Sequence, residues 1–243
     1  MSGERIILAL DTASAPGGVA VGAGGAVSAE IVLGVAVRHS ELVLPAIDFA
    51  LRAAGATLAD VDAVVCGAGP GSFTGVRIAA ATAKGLAHAR GVPLFTFSSL
   101  LAAAAAASFT AGSASTAGPV CALFDARRGE AYAGCWTVTD QVIETLLEPM
   151  AGDIDDIVAR LAHHDPLYVG DGAWRNRARI EAVGGRIARA GATAGCAGAL
   201  IRLHAVLHDA APVDAAHWEP SYIRAPNVTV PRALRGAATE RQV

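Results

Sequence analysis

Charge of either sign is scarce in this chain of 243 residues: charged side chains make up 17%, the formal net charge is -3 and the pI is about 6.1. No strong basic field exists, which argues against tight autonomous binding to an RNA backbone, because such binding rests on neutralised phosphates. Lysine is almost missing. Lys84 is the only one, and no Gly-Lys-Ser or Gly-Lys-Thr of a phosphate loop occurs. The four cysteines, Cys66, Cys121, Cys135 and Cys196, lie far apart with no C-x-x-C pair. That spacing excludes a zinc cluster or a disulfide framework and leaves small buried apolar residues in a reducing compartment. Long apolar runs are also missing. A spanning helix needs about 20 consecutive apolar residues, and the most apolar stretch, residues 100–107, is mostly alanine and gives way to Ser108, Thr110 and Gly112. Residues 1–11 reach an acidic residue too early for a signal peptide. Despite a mean hydropathy of +0.44, the expectation is a cytoplasmic protein with no membrane partner.

What the chain does have is core material. Hydrophobic residues make up 53%, enough to exclude disorder as the main state, and the length fits one large core or two compact subdomains. Residues 6–10 form a short continuous apolar run, the pattern of a strand buried on both faces, closed by Asp11. Apolar runs at 19–21 and 27–33, separated by glycine pairs, read as a meander of hairpins. From 40 to 54 the period becomes helical, with Gly55 as the stop. A strand at 63–66, a glycine-rich loop at 67–75, a helix at 76–89, a strand at 92–97 and a helix at 99–107 follow. Residues 108–118, rich in Ser, Thr, Ala and Gly, read as a linker.

The order then recurs. Residues 120–124 are an apolar run ending in Asp125, as the first run ended in Asp11. A turn at Arg127-Arg128-Gly129, return strands at 131–138 and 142–147, a helix at 154–162 with Asp153 as N-cap, a strand at 168–169 running into a Gly170-Asp171-Gly172 turn, and a helix at 197–207 complete it. Two units of strand, Asp, hairpin, third strand, helix and strand predict two α/β subdomains facing across a cleft. Residues 1–105 plus 216–243 form the first and 106–215 the second, with 218–224 returning the chain to the first. Ligand sites in such sheets lie at strand ends, where Asp11, the loop at 67–75 and Asp125 are expected to converge.

The most informative segment is 69–78, Gly-Pro-Gly-Ser-Phe-Thr-Gly-Val-Arg-Ile. Its glycines permit close approach of backbone or ligand, Thr74 is a candidate cap, and a helix N-terminus is a potential anion site. A dinucleotide loop starting at Gly67 would need glycine where Ser72 stands. A phosphate site and a structural turn with a cap therefore both remain open from spacing alone.

Taken together with residues 7–13, 39–45, 125–132 and 219–224, this segment resembles the bacterial tRNA threonylcarbamoyladenosine biosynthesis family of the TsaB (YeaZ) type, formerly filed as glycoprotease-like or peptidase M22 homologues. Residues 133–217 resemble it in little beyond element order. The resemblance implies an α/β, actin-like and Hsp70-like (ASKHA) fold of two ribonuclease H-like subdomains, each a mixed sheet flanked by helices. It implies a non-catalytic scaffold and dimerisation subunit, with no catalytic residues and no metal or cofactor of its own. The catalytic paralogue TsaD transfers threonylcarbamoyl to the adenosine beside the anticodon, and the small ATPase TsaE joins through the complex; ATP and Mg²⁺ belong there. The tRNA is met only indirectly, and alone the subunit forms a homodimer. The family's pairing helices map to 40–54 and 76–89, giving Val43, Ile47, Ala50, Ala79, Ala83 and Leu86 as expected interface residues. Asp11, Thr12, Gly69, Gly71, Ser72, Thr74, Gly75, Arg77 and Asp125 are the family motif, structural or a weak nucleotide site.

The residues themselves bear on the alternatives, an independent actin-fold kinase or ATPase and a metallopeptidase-like hydrolase. The catalytic paralogue has two histidines at i and i+4 early in its first subdomain, whereas His39 stands alone here and reads as a helix-start or interface residue. His204 and His208 do have i, i+4 spacing, but no Glu follows His204, and an exposed helix face is expected. Carboxylates such as Asp11 and Asp125 can hold Mg²⁺ through water beside hairpin amides that hold phosphate. In the first hairpin Ala13 and Pro16 replace the donor-rich pattern, and Pro16 has no N–H. Asp11 is expected to stabilise its own hairpin.

Overall fold

A computed structural model describes residues 5–34, 39–110, 118–139, 141–189 and 196–223. The first sheet is built from β1 (Ile6–Asp11), β2 (Gly17–Ala23), β3 (Ala26–Leu33), β4 (Val61–Gly67) and β5 (Leu94–Phe97), in the order β3-β2-β1-β4-β5. β1 pairs antiparallel with β2 and parallel with β4. The second sheet, β6 (Val120–Arg127), β7 (Glu130–Val138), β8 (Ile143–Asp153), β9 (Leu167–Val169) and β10 (Arg186–Ile187), has the order β10-β9-β6-β7-β8. β6 pairs antiparallel with β7 and parallel with β9. Read from the third strand inward, the two sheets have the same order and the same orientations, which is the duplication expected from the repeated units.

The period of the central strands assigns the layers. Leu8 and Leu10 join a core with α1 (His39–Ala53) and α2 (Phe73–Arg90), while Ile7 and Ala9 face the other way, toward α3 (Ser99–Thr110) and α7 (Cys196–Val206). In β6, Val120, Ala122 and Phe124 face that same middle layer, and Cys121 and Leu123 face α4 (Ile154–Leu161) and Ile180 of α6 (Arg177–Ala182). Successive side chains of a strand point to opposite faces, so continuous apolar runs are what sheets covered on both sides require. The middle layer crosses over: α3 packs on β6 and β7, whereas α7 packs on β1, β2 and β3. α3 lies between α7 and the second sheet, and its alanines at 102–107 are all buried. A helix apolar all round belongs inside, and alanine is small enough to let α7 and the sheet close on it from both sides.

Element bounds differ from the sequence pattern where packing overrides it. α2 starts at Phe73, so the glycine loop is shorter than expected, and its N-cap is Ser72, whose side chain accepts from Gly75 N; Thr74 is exposed. α3 runs to Thr110, three residues into the expected linker, and 111–117 lie outside the described residues. β8 extends to Asp153 because it pairs along β7, and Asp153 caps α4 by accepting from Asp155 N as expected. α5 (Asp171–Arg175), α6 and β10 stand where no periodic pattern was legible. The chain is back on the first sheet by Val213, whose N donates to Leu94 O at 2.8 Å, and Ser221 N donates to Ala68 O at 2.8 Å. All four cysteines are buried and free, Cys121 opposite Cys135 across β6 and β7. Among the described residues, no helix is long and apolar enough to cross a membrane.

The expected interface residues are a correction. Val43, Ile47, Ala50, Ala79 and Ala83 are buried in the core under the first sheet, and Leu86 packs half-buried against it. They hold α1 and α2 to their own sheet. On α1 two large apolar side chains off the buried stripe, Leu44 and Phe49, stand in solvent at 57% and 60% exposure.

Candidate functional site

The expected meeting point at the strand ends is only partly formed. Asp11 is buried, and its Oδ1 accepts from Ala13 N at 2.7 Å. It sits against Gly67, where an added Cβ would lie 2.1 Å from Asp11 Oδ2. Ser99 holds it from the side and accepts from Gly69 N at 3.0 Å. Burial raises the Asp11 pKa above the ordinary carboxylate value, and the bonds from Ala13 and Ser99 oppose the shift without cancelling it. Asp11 therefore stabilises its hairpin, as expected, and does not reach the cleft.

The glycines of the motif serve the same hairpin. Ser72 N donates to Ala13 O at 2.7 Å, and Thr12 Oγ1 donates to Gly75 O at 2.6 Å. A Cβ on Gly71 would meet Ala13 O at 2.2 Å, and one on Gly75 would meet Thr12 O at 1.9 Å. The close approach that glycine permits here is taken by residues 12 and 13 of the chain itself. The amides of Gly69, Ser72 and Gly75 are engaged by Ser99, Ala13 and Ser72.

On the second sheet, Asp125 pairs with Arg175 and accepts from Arg127 N at 2.9 Å through Oδ1. Asp171 lies beside it, accepting from Asp125 N and Gly172 N, and burial raises its pKa most. Asp171 was read only as part of a turn; nothing in a Gly-Asp-Gly triplet says that α5 will start there and aim the carboxyl at Asp125.

Two cavities result. One of about 170 Å³ lies among Thr12, Ala13, Ala15, Asp125 and Asp171, at the hairpin clasp. A second, of about 360 Å³, lies between the loop at Ser72 and Phe73, the β6–β7 hairpin at Arg127, and the returning segment at Tyr222. On its first-sheet wall the Arg77 guanidinium lies 3.7 Å above the Phe73 ring and donates through Nε to Tyr222 Oη at 3.2 Å. This cluster joins residues 145 apart in sequence, and only the motif membership of Arg77 and Tyr222 hinted at it. Arg224 lies outside the described residues.

The histidines do not meet as ligands. His204 packs inward, its ring 4.3 Å from that of Phe95, while His208 is exposed beside Asp209. The exposed face expected for the pair is thus wrong for His204, because α7 turns it toward β5. His39 opens α1, its side chain outside the described residues. Among the described residues no group of three or more His, Cys, Asp or Glu is placed to hold a metal ion.

The family model for TsaD, tRNA N6-adenosine threonylcarbamoyltransferase, matches residues 33–181. The tRNA threonylcarbamoyladenosine biosynthesis protein TsaB of Bacillus subtilis is 30% identical over 179 residues, 73% of this chain and 76% of that protein. This chain belongs to the TsaB (YeaZ) family. The TsaB protein of Escherichia coli is 40% identical over 126 residues, and the match spans about half of each, 52%. YeaZ from Pseudomonas aeruginosa superposes with a TM-score of 0.74 at 28% identity, covering 90% of this chain and 99% of that one. The YeaZ likeness extends over the whole fold described above, two mixed sheets of matching strand order, each flanked by helices.

The burial of Asp11 carries a pH prediction. Its pKa is raised in the folded state, so its favourable contribution is full below the unfolded value of 3.8 and is lost as pH rises through the folded value. Asp11→Asn keeps an acceptor for Ala13 N and removes the buried charge. Its urea midpoint is expected to fall less than that of the wild type between pH 4 and pH 7. Parallel curves for the two proteins would contradict the assignment.

Proposed function

We propose that this chain acts in tRNA threonylcarbamoyladenosine formation as a non-catalytic subunit that pairs with a catalytic paralogue of the TsaD type. The observation that carries this reading is the outer face of α1, where Leu44 and Phe49 stand 57% and 60% exposed although their neighbours Val43, Ile47 and Ala50 already satisfy the core. Large apolar side chains left out of a complete core mark a binding surface. The neighbouring face of α2 carries small exposed residues, Ala81 and Gly85, over which another helix can pass closely. The clasp geometry supports the absence of turnover on this chain: Asp11 is buried and the amides of Gly69, Ser72 and Gly75 are engaged within the protein. ATP and Mg²⁺ are proposed to be handled elsewhere in the complex, by a TsaE-type subunit. The chain would work in the cytoplasm, pairing with itself when alone and exchanging that contact for the paralogue, since both partners share the fold.

Phe49→Asp is expected to weaken both pairings at least tenfold in sedimentation experiments, with the melting temperature unchanged, because the position is exposed in the single chain. Pairing that survives Phe49→Asp and Leu44→Asp together would place the partner elsewhere. Detectable ATP or peptide hydrolysis by the purified chain, lost in Asp11→Asn, would favour the kinase or peptidase alternatives.

A further inference from the structure

We propose that the cavity of about 360 Å³ is a nucleotide site, one unpaired base lying against Phe73 and Tyr222 with its phosphate on Arg127. It adjoins the smaller cavity at the hairpin clasp, sharing Ser72, Asp125 and Arg127 with it, whereas Phe73 and Tyr222 line only the larger of the two. Both aromatic rings line the larger cavity and remain open, Phe73 at 40% and Tyr222 at 37% exposure. Arg77 fixes them by packing on Phe73 and bonding Tyr222, so little freedom is lost when a base stacks there. Ser72 and Thr74 bring hydroxyls to the same wall.

The facing wall supplies charge. Arg127 lines the cavity and Arg128 follows it, and neither has a carboxylate partner among the described residues, in contrast to Arg175, Arg177, Arg179 and Arg186. Both are held at positive φ, 65° and 57°, where side chains other than glycine are uncommon. Such conformations persist only where surrounding structure imposes them, and they gather at functional sites. Here the bond from Arg127 N to Asp125 Oδ1 and the register shift between Asp125 and Arg127 impose the conformation. Asp125, which also lines the cavity, is already paired with Arg175, so part of the charge opposing an anion beside Arg127 is offset. Paired rings plus unpaired guanidinium groups are the chemistry that holds single-stranded nucleic acid, and the volume suits one nucleotide rather than a duplex. That the nucleotide belongs to an RNA rests on the proposed function; the site itself does not.

The test uses the full chain, with 5′-phosphorylated hexa-adenylate RNA and AMP as probes, at low salt. Saturable binding is expected. Phe73→Ala is expected to weaken it about fivefold or more, the low end for loss of a base–aromatic stack. Arg127→Gln is expected to weaken it and to reduce the slope of log K against log salt by about 0.7, one phosphate contact on a single strand. Tighter binding of the hexamer than of AMP supports an RNA strand with Arg128 on a neighbouring phosphate; equal binding supports a free nucleotide in the same site. Both positions are exposed, and unchanged melting temperatures verify the fold. No saturable binding of either probe at millimolar concentration, or binding that neither variant alters, would overturn the proposal. Pairing with the catalytic paralogue is measured separately and is expected to survive both variants, so the two proposals fail independently.

Discussion

Ala83→Glu is expected to leave the chain largely unfolded. Ala83 is fully buried in the cluster that joins α2 to the first sheet, which also contains Ala79, Ala87, Val64 and Leu94. Lys84, the next residue, is turned toward Trp218 and away from the position Ala83 fills. An unpaired buried charge costs several kcal/mol, and larger side-chain volume in a packed core adds about 1–3 kcal/mol. Whole domains of ordinary stability have about 5–15 kcal/mol to lose. The measurement is a urea or thermal transition of the purified variant. A cooperative transition close to that of the wild type would mean that α2 does not seat on the sheet as described. The variant thus reports on the core, whereas Phe49→Asp reports on the pairing surface, and a loss of association in Ala83→Glu alone says nothing about partners.

Gly75→Val is expected to have the second-largest effect. The atom that a Cβ would strike is the backbone oxygen of Thr12, at 1.9 Å, and Thr12 directly follows β1. Neither side can give way cheaply: α2 is anchored by Ser72 and by the bond from Thr12 Oγ1 to Gly75 O. A cost of about 3 kcal/mol or more is expected, which lowers the melting temperature by roughly 6–12 °C in a chain of this size. Gly85→Ala is the matched control in the same helix. Nothing lies within 4 Å of a Cβ there, so relief of the glycine penalty is expected to stabilise the isolated chain by up to about 1 kcal/mol. Effects of equal sign at the two positions would contradict the close packing of the motif on the hairpin.

Sequence alone determined a good deal. The apolar runs ending in Asp11 and Asp125 gave both central strands, because a strand covered on two faces has no polar alternation to hide it. The repeat of strand, hairpin and helix gave the duplication, and the motif residues gave the family. The sequence also indicated that Asp11 serves its own hairpin, since Pro16, which has no N–H, stands in a hairpin where a phosphate clasp needs backbone donors.

Tertiary structure decided the rest, and the reason is the same in each case. Val43, Ile47 and Ala50 share one face of α1, and Leu44 and Phe49 lie off it, yet both sets are apolar; only the position of the first sheet says which set is core. The glycines of the 69–75 segment announce a close approach without naming what approaches, and it is Thr12 and Ala13. His204 and His208 have metal spacing on paper, but α7 crosses to the first sheet and turns His204 onto Phe95. Phe73, Arg77 and Tyr222 are brought together by a chain that returns to the first sheet after the second is complete. Periodicity along a segment records that a face is apolar, while the identity of the surface packed against it depends on segments distant in sequence.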